Sequence, residues 1–237
     1  MNDHETDHFF RRPLQAGRLL RDRDSALVEL CRGRRVAHIG CVDWPLSQER
    51  LRDGLLLHPK LLAVSSEIVG IDVDAPGLDD MRSTLGGSYL ALDVTASGSD
   101  ARTAVIEALG DEPDIVIAGD VIEHVPDPVG FVRGLADLVT TSDARVVITT
   151  PNSLAVRSSV NTLLGYELMH PDHISIHTPT TLRTVVERGG LRVVSWNYYS
   201  ITTGSDLAHR GYDIVSRVSA RVRPAWADGH LVVAQRG

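Results

Sequence analysis

The 237 residues include 43% apolar and 23% charged side chains, a balance that suits a chain folding around a substantial core and excludes wholesale disorder. Two cysteines, Cys31 and Cys41, are too few for a disulfide framework, and no apolar run reaches the roughly 20 residues of a membrane span. The net charge of −7 is uneven, with −13 over residues 36–181 against +2 over 1–35 and +4 over 182–237, so the centre would repel a polyanion and nucleic acid is not expected as a partner.

In chain order, residues 1–34 read as a helical lead-in, and 35–237 as one domain. The polar start, Met1 to His8, has neither the basic nor the apolar region of a signal peptide, which predicts a reducing cytoplasm. Val36–Gly40 reads as a first strand. Leu46–Ser65 has helical spacing with Ser47 as cap. Ile68–Asp72 is a second strand, and a short helix ending at Gly86-Gly87 leads to a third, Tyr89–Asp93. Asp100–Leu109 is helical, Asp114–Ala118 is a fourth strand, Val129–Val139 is helical, and Arg145–Thr150 is a fifth strand. Pro179–Arg188 is a helix capped by Thr178 and stopped by Gly189-Gly190. Leu191–Tyr199 and His230–Ala234 are late strands, with an amphipathic helix over 205–223 between them. Alternation of short apolar strands with helices predicts an α/β fold with a mostly parallel, seven-stranded sheet and helices on both faces.

In such a sheet, ligands bind beyond the carboxyl ends of the strands. Those ends carry Gly40-Cys41-Val42-Asp43, then Asp72-Val73, Asp93-Val94, and Gly119-Asp120 with Glu123-His124 just beyond. A glycine lets the chain turn sharply and approach a ligand closely. A carboxylate can accept both hydroxyls of a ribose or an amino group of adenine. Acids at successive tips suit a nucleoside bearing positive charge and would repel a pyrophosphate.

This pattern resembles the class I S-adenosylmethionine-dependent methyltransferases of small-molecule type. Val36–Asp43 is similar to their first motif, Ile68–Asp72 to the ribose-binding strand and Tyr89–Val94 to the adenine-binding strand. Pro113-Asp-Ile-Val-Ile-Ala-Gly-Asp-Val-Ile-Glu-His-Val-Pro-Asp-Pro128 is similar to their fourth strand with its Glu-His turn. Thr149-Thr-Pro-Asn152 resembles the end of their fifth strand, and the segment from Met169 to Arg188 resembles the loop and helix after it. Val42 and Trp44 stand where the first motif usually has glycines, and His38 where it usually has an acid. The resemblance implies a Rossmann-like, doubly wound fold and S-adenosylmethionine as cofactor, with His38, Gly40, Cys41, Asp43, Asp72, Val73, Asp93, Val94, Gly119 and Asp120 around it. It also implies O- or N-methylation of a small-molecule substrate. The 205–223 helix reads either as a cover for that acceptor or as a solvated amphipathic helix. No membrane is implied, and no oligomeric state is fixed.

Other readings stand beside this one. A nicotinamide enzyme needs Gly-x-Gly-x-x-Gly after the first strand, which Gly40–Pro45 lacks. A non-catalytic protein retaining the fold, or a carbon or carboxyl methyltransferase, would share the same strand tips. His124 and His173 are the candidate general bases, because an imidazole titrates near neutral pH. Their alternative is ordering of the turn and loop. His170, His173 and His177 have metal-like spacing, but a loop containing Pro171 gives no convergence, and no metal centre is expected. His4-Glu-Thr-Asp-His8 has the letters of a zinc-protease motif without the helix that gives it meaning.

Overall fold

The computed structural model describes residues 12–43, 47–96, 98–202 and 207–237. His4, His8 and Trp44 lie outside the described residues, as does part of the Leu46–Ser65 stretch. Among the described residues, eight strands form one sheet: β1 (Arg18–Leu19), β2 (Arg35–Ile39), β3 (Glu67–Asp72), β4 (Ser88–Ala91), β5 (Ile115–Gly119), β6 (Arg145–Pro151), β7 (Leu191–Tyr199) and β8 (Gly229–Arg236). Their order is β1-β7-β8-β6-β5-β2-β3-β4. Only β8 runs against its neighbours, pairing antiparallel with both β6 and β7. The seven expected strands are all present. The eighth, β1, adds two residues to the far edge through Arg18–Asn197 and Leu19–Tyr198 pairing.

The central strands are largely apolar because both faces are covered. Ala37, Ile39, Val69, Ile71, Val116 and Ala118 point into one core layer, against α5 (Gly98–Leu109), α6 (Pro128–Asp137) and α8 (Pro179–Arg188). The intervening Val36, Ile68, Ile115 and Ile117 point into the other, against α1 (Arg23–Cys31) and α3 (Leu57–Leu62). This period-two division of an apolar strand is what a doubly wound sheet requires.

Helix starts reflect local chemistry. Asp127 caps α6 by accepting from Gly130 N at 2.9 Å, with Pro128 at its first turn. Asp74 does the same for α4 (Ala75–Leu85) through Gly77 N. Thr178 and Thr181 form a reciprocal capping box on α8.

Three expectations on helices change. The lead-in is not wholly helical, since β1 precedes α1. The single helix expected over Leu46–Ser65 is two, α2 (Ser47–Arg52) and α3, because Gly54 adopts φ +66° between them. A further helix, α7 (Val156–Leu163), comes after β6. The helix expected over 205–223 is α9 (Leu207–Val222).

Candidate active site and cofactor crevice

The carboxyl ends of β2, β3, β4 and β5 carry the residues singled out from the sequence. Gly40 turns the chain at φ +72°, and a Cβ there would lie 2.4 Å from a methyl of Val121. Only glycine fits this turn. Cys41 and Val42 then run inward and are buried. Burial and the neighbouring Asp72 raise the Cys41 thiol pKa, which makes it a packing residue and not a nucleophile. Asp43 also has positive φ, and its carboxylate pairs with Arg50 of α2.

Asp72 is half-buried at the tip of β3. One carboxylate oxygen accepts from Val42 N at 2.9 Å and the other from Asp74 N at 3.1 Å. The acid therefore clamps the Gly40–Asp43 turn against the second strand. Val73 beside it is exposed. At the next tip, Asp93 accepts from Thr95 N at 2.8 Å, and Val94 is buried under α6. A glycine cradle and two carboxylates on adjacent strand tips fit the adenosyl part of S-adenosylmethionine, since carboxylates accept from ribose hydroxyls and an adenine amino group.

His38 is 2% exposed, with its Nδ1 3.1 Å from Nδ1 of His58 and the two rings stacked. Burial, then His58 and Arg23, lower its pKa well below the ordinary range. A neutral imidazole thus occupies the place of the acid usual in the first motif.

Asp120 has φ +54°. Its carboxylate pairs with Arg23 of α1, and accepts from Thr149 Oγ1 and Tyr199 OH, both at 3.0 Å. The side chain is committed to this cluster, so only the backbone of Gly119-Asp120 remains for a ligand. Sequence spacing does not foretell this cluster, since Arg23, Thr149 and Tyr199 are 97, 29 and 79 residues distant from Asp120.

A 3-10 turn, Ile122–His124, comes next. Glu123 is 1% exposed, and one of its oxygens accepts from Thr150 Oγ1 at 3.0 Å. Burial, reinforced by Asp120, pushes its pKa up to about 8. Its carbonyl accepts from Ile174 N and Ser175 N at 3.0 and 3.1 Å, which fixes the 170–175 loop over the turn. His173 is thereby brought to His124, with ring centroids 4.7 Å apart, and His170 lies 5.3 Å from His173. Burial, then His124 and His170, lower the His173 pKa. His177 separates from this group. It is buried, hydrogen-bonded by Ser175 at 3.2 Å, and bridged to Asn152 beyond β6. The spacing His170, His173, His177 therefore does not mark one cluster.

Beside the histidines is a cavity of about 530 Å³, bounded by Asn152, Arg157 and Asn161 on one side and by Tyr212 of α9 on the other. A second, of about 490 Å³, shares Asn152, Leu168 and His170 with it and reaches His173. Arg157 holds the wall, pairing with Asp213 of α9 at 2.9 Å and Asp228 at 3.2 Å. Trp196, Tyr198 and Tyr199 are buried in the core.

Comparisons with known proteins give the family and the fold. A family described as a methyltransferase domain matches residues 56–196, more than half of the chain. A ubiquinone biosynthesis O-methyltransferase of Ruegeria pomeroyi is 26% identical over 183 residues, covering 73% of this chain and 66% of that protein. Another with the same name, from Roseobacter denitrificans, is 25% identical over 221 residues, covering 86% and 79%. The fold is shared with magnesium protoporphyrin IX methyltransferase from Synechocystis, at TM-score 0.52 and 16% identity over 90% of this chain and 82% of that one. It is also shared with the N-methyltransferase NodS from Bradyrhizobium japonicum, at TM-score 0.50 and 12% identity over 90% and 85%. Both of those structures hold S-adenosylhomocysteine or are described in complex with it. The chain belongs to the methyltransferase-domain family and is an S-adenosylmethionine-dependent methyltransferase of class I fold.

Proposed function

We propose that the protein methylates an oxygen or nitrogen of a small, largely apolar molecule held between α7, the 163–176 segment and α9. The observation that carries this reading is the pair of cavities running from Tyr212 to His173, which share Pro151 and Asn152 at the carboxyl end of β6. The cofactor supplies an electrophilic methyl group on a sulfonium. Asp72 holds the ribose and Asp93 the adenine. The turn from Gly40 to Asp43 takes the amino-acid tail, and the backbone of Gly119-Asp120 flanks the methionine portion. Val73 and Val94 border the adenine, while His38 and Cys41 brace the turn.

On the acceptor side, α9 closes the cavity and excludes water. His124 donates Nδ1–H to the Asp172 carbonyl, 3.1 Å away, because a carbonyl can only accept. That leaves the Nε2 lone pair of His124 able to take a proton from an acceptor hydroxyl. His173, held neutral by burial, is its partner in that role. The curated relatives are named as O-methyltransferases, which favours oxygen.

The test is a thermal shift on the full chain with S-adenosylmethionine, S-adenosylhomocysteine and NAD in separate samples. A ligand at a hundred times its Kd adds about 2.7 kcal/mol. Shifts with the first two and none with NAD support the reading, and mass spectrometry of products from a metabolite pool then finds the acceptor. Asp72→Asn should weaken S-adenosylhomocysteine about 10- to 150-fold, as for the loss of a charged hydrogen bond at about 1.5–3 kcal/mol. Unchanged affinity would remove Asp72 from the ribose.

A further inference from the structure

We propose that Glu123, His124 and His173 form a binding site for a divalent first-row metal ion at the edge of the acceptor cavity. The proposal rests on the methyl-transfer reading only for what the ion would do, not for whether it binds. It departs from the expectation of no metal, which was drawn from a different trio of histidines.

Each of the three side chains offers one ligand atom, and these atoms all lie within 4.8 Å of one another. A tetrahedral ion about 2.1 Å from each needs them roughly 3.4 Å apart. Closure therefore takes shifts on the order of an ångström, which is rotation within a side-chain well. The set is also prepared in ways a chance cluster is not. Oε1 of Glu123 is buried and has no hydrogen-bond partner, although its sister oxygen is held by Thr150. A buried carboxylate oxygen left unmatched is costly, and a cation would satisfy it. The Nδ1–H of His124 is tied to a backbone carbonyl, the arrangement by which proteins fix the tautomer of a ligating imidazole and present Nε2. The backbone carbonyl of Glu123 anchors the loop that brings His173 in. His170 stays outside the set, because its Nδ1 already accepts from Asp172 N at 3.3 Å.

Two imidazoles and one carboxylate favour Zn²⁺, Co²⁺, Mn²⁺ or Fe²⁺ over Ca²⁺ or Mg²⁺. Three protein ligands leave a position open, as in catalytic rather than structural sites. His173 lines the second cavity, so an acceptor hydroxyl can enter that position. With the ion bound, His124 and His173 would be ligands and not bases: the ion would lower the hydroxyl pKa, and the proton would leave to solvent. The acceptor oxygen then forms its bond to the methyl carbon while the carbon–sulfur bond breaks, and that electron pair stays on sulfur.

The experiment is equilibrium dialysis of the purified full chain against Zn²⁺ and, separately, Co²⁺, with metal counted by mass spectrometry and Co²⁺ monitored by its visible absorption. One ion per chain is expected. His124→Ala, His173→Ala and Glu123→Gln should each weaken it at least tenfold, and His170→Ala should leave it within about threefold. Absence of a stoichiometric ion, or affinity indifferent to all three substitutions, overturns the proposal. Should Glu123→Gln fail to fold, the two histidine variants decide, since His124 is exposed and His173 only half-buried. S-adenosylhomocysteine binding is measured on the same samples. Its loss with the ion retained would strike the methyl-transfer reading and leave the metal site standing.

Discussion

Gly134→Ala sets two physical effects against each other at the cofactor crevice. Gly134 lies within α6, where alanine is favoured over glycine by about 1 kcal/mol. A Cβ at this position would fall 2.1 Å from the carbonyl oxygen of Val94 and 2.8 Å from its carbonyl carbon. Those are backbone atoms of the loop that carries Asp93, so no side-chain rotation relieves the contact. Overpacking of this kind costs about 1–3 kcal/mol, and against backbone the upper part of that range applies. The net expectation is a loss of about 1–2 kcal/mol, or about 2–8 °C in Tm for a chain of this size. The displaced loop should also weaken S-adenosylhomocysteine several-fold by calorimetry. Gly211→Ala in α9 is the control, because a Cβ there meets nothing within 4 Å, and it should raise Tm slightly. A Gly134→Ala protein as stable as its parent, with intact cofactor affinity, would refute the claim that α6 sets the position of the Asp93 loop.

Stability should also fall in mild acid. Burial lowers the His58 pKa to about 4, below the ordinary 6.5. The unfolded chain binds the extra proton first, so stability present above pH 6.5 drains away as the pH falls toward 4, by at most roughly 3 kcal/mol for this group. Melts across that interval should show His58→Gln with a shallower acid limb than the parent, and matching slopes would exclude the His38–His58 pair as a source. Arg157→Met removes a cation from between two carboxylates, Asp213 and Asp228, whose side chains are each 6% exposed. Breaking such a buried arrangement costs about 3–5 kcal/mol, so a Tm within 2–3 °C of the parent would contradict the role given to Arg157 in holding α9.

Much of the fold is legible in the sequence, because parallel strands buried on both faces are short apolar runs and their helices carry local stop signals. Gly40, Asp72 and Asp93 fall at strand tips for that reason. The features that escape such a reading are long-range or too short to have a period. Two residues, Arg18 and Leu19, show no alternation, and only Gly17 hints at them, since a Cβ there would lie 2.5 Å from the Trp196 carbonyl oxygen. No side chain caps α7 at Ala155, and its serine, asparagine and threonine residues are weak helix formers. The commitment of Asp120 to Arg23 and Tyr199 depends on α1 passing beneath the sheet, which no local pattern encodes. The separation of His177 from His173 turns on the Asn152–His177 bridge, a tertiary contact between segments far apart in the chain.

The path of the first described residues has a practical consequence. From the outer edge of the sheet at β1, the chain crosses in α1 and delivers Arg23 to Asp120 at the centre. A truncated enzyme trimmed to the family match at residues 56–196 would discard that guanidinium together with β2 and β8. Boundaries chosen by homology would thus amputate a counterion, and expression vectors for this protein should span β1 through β8.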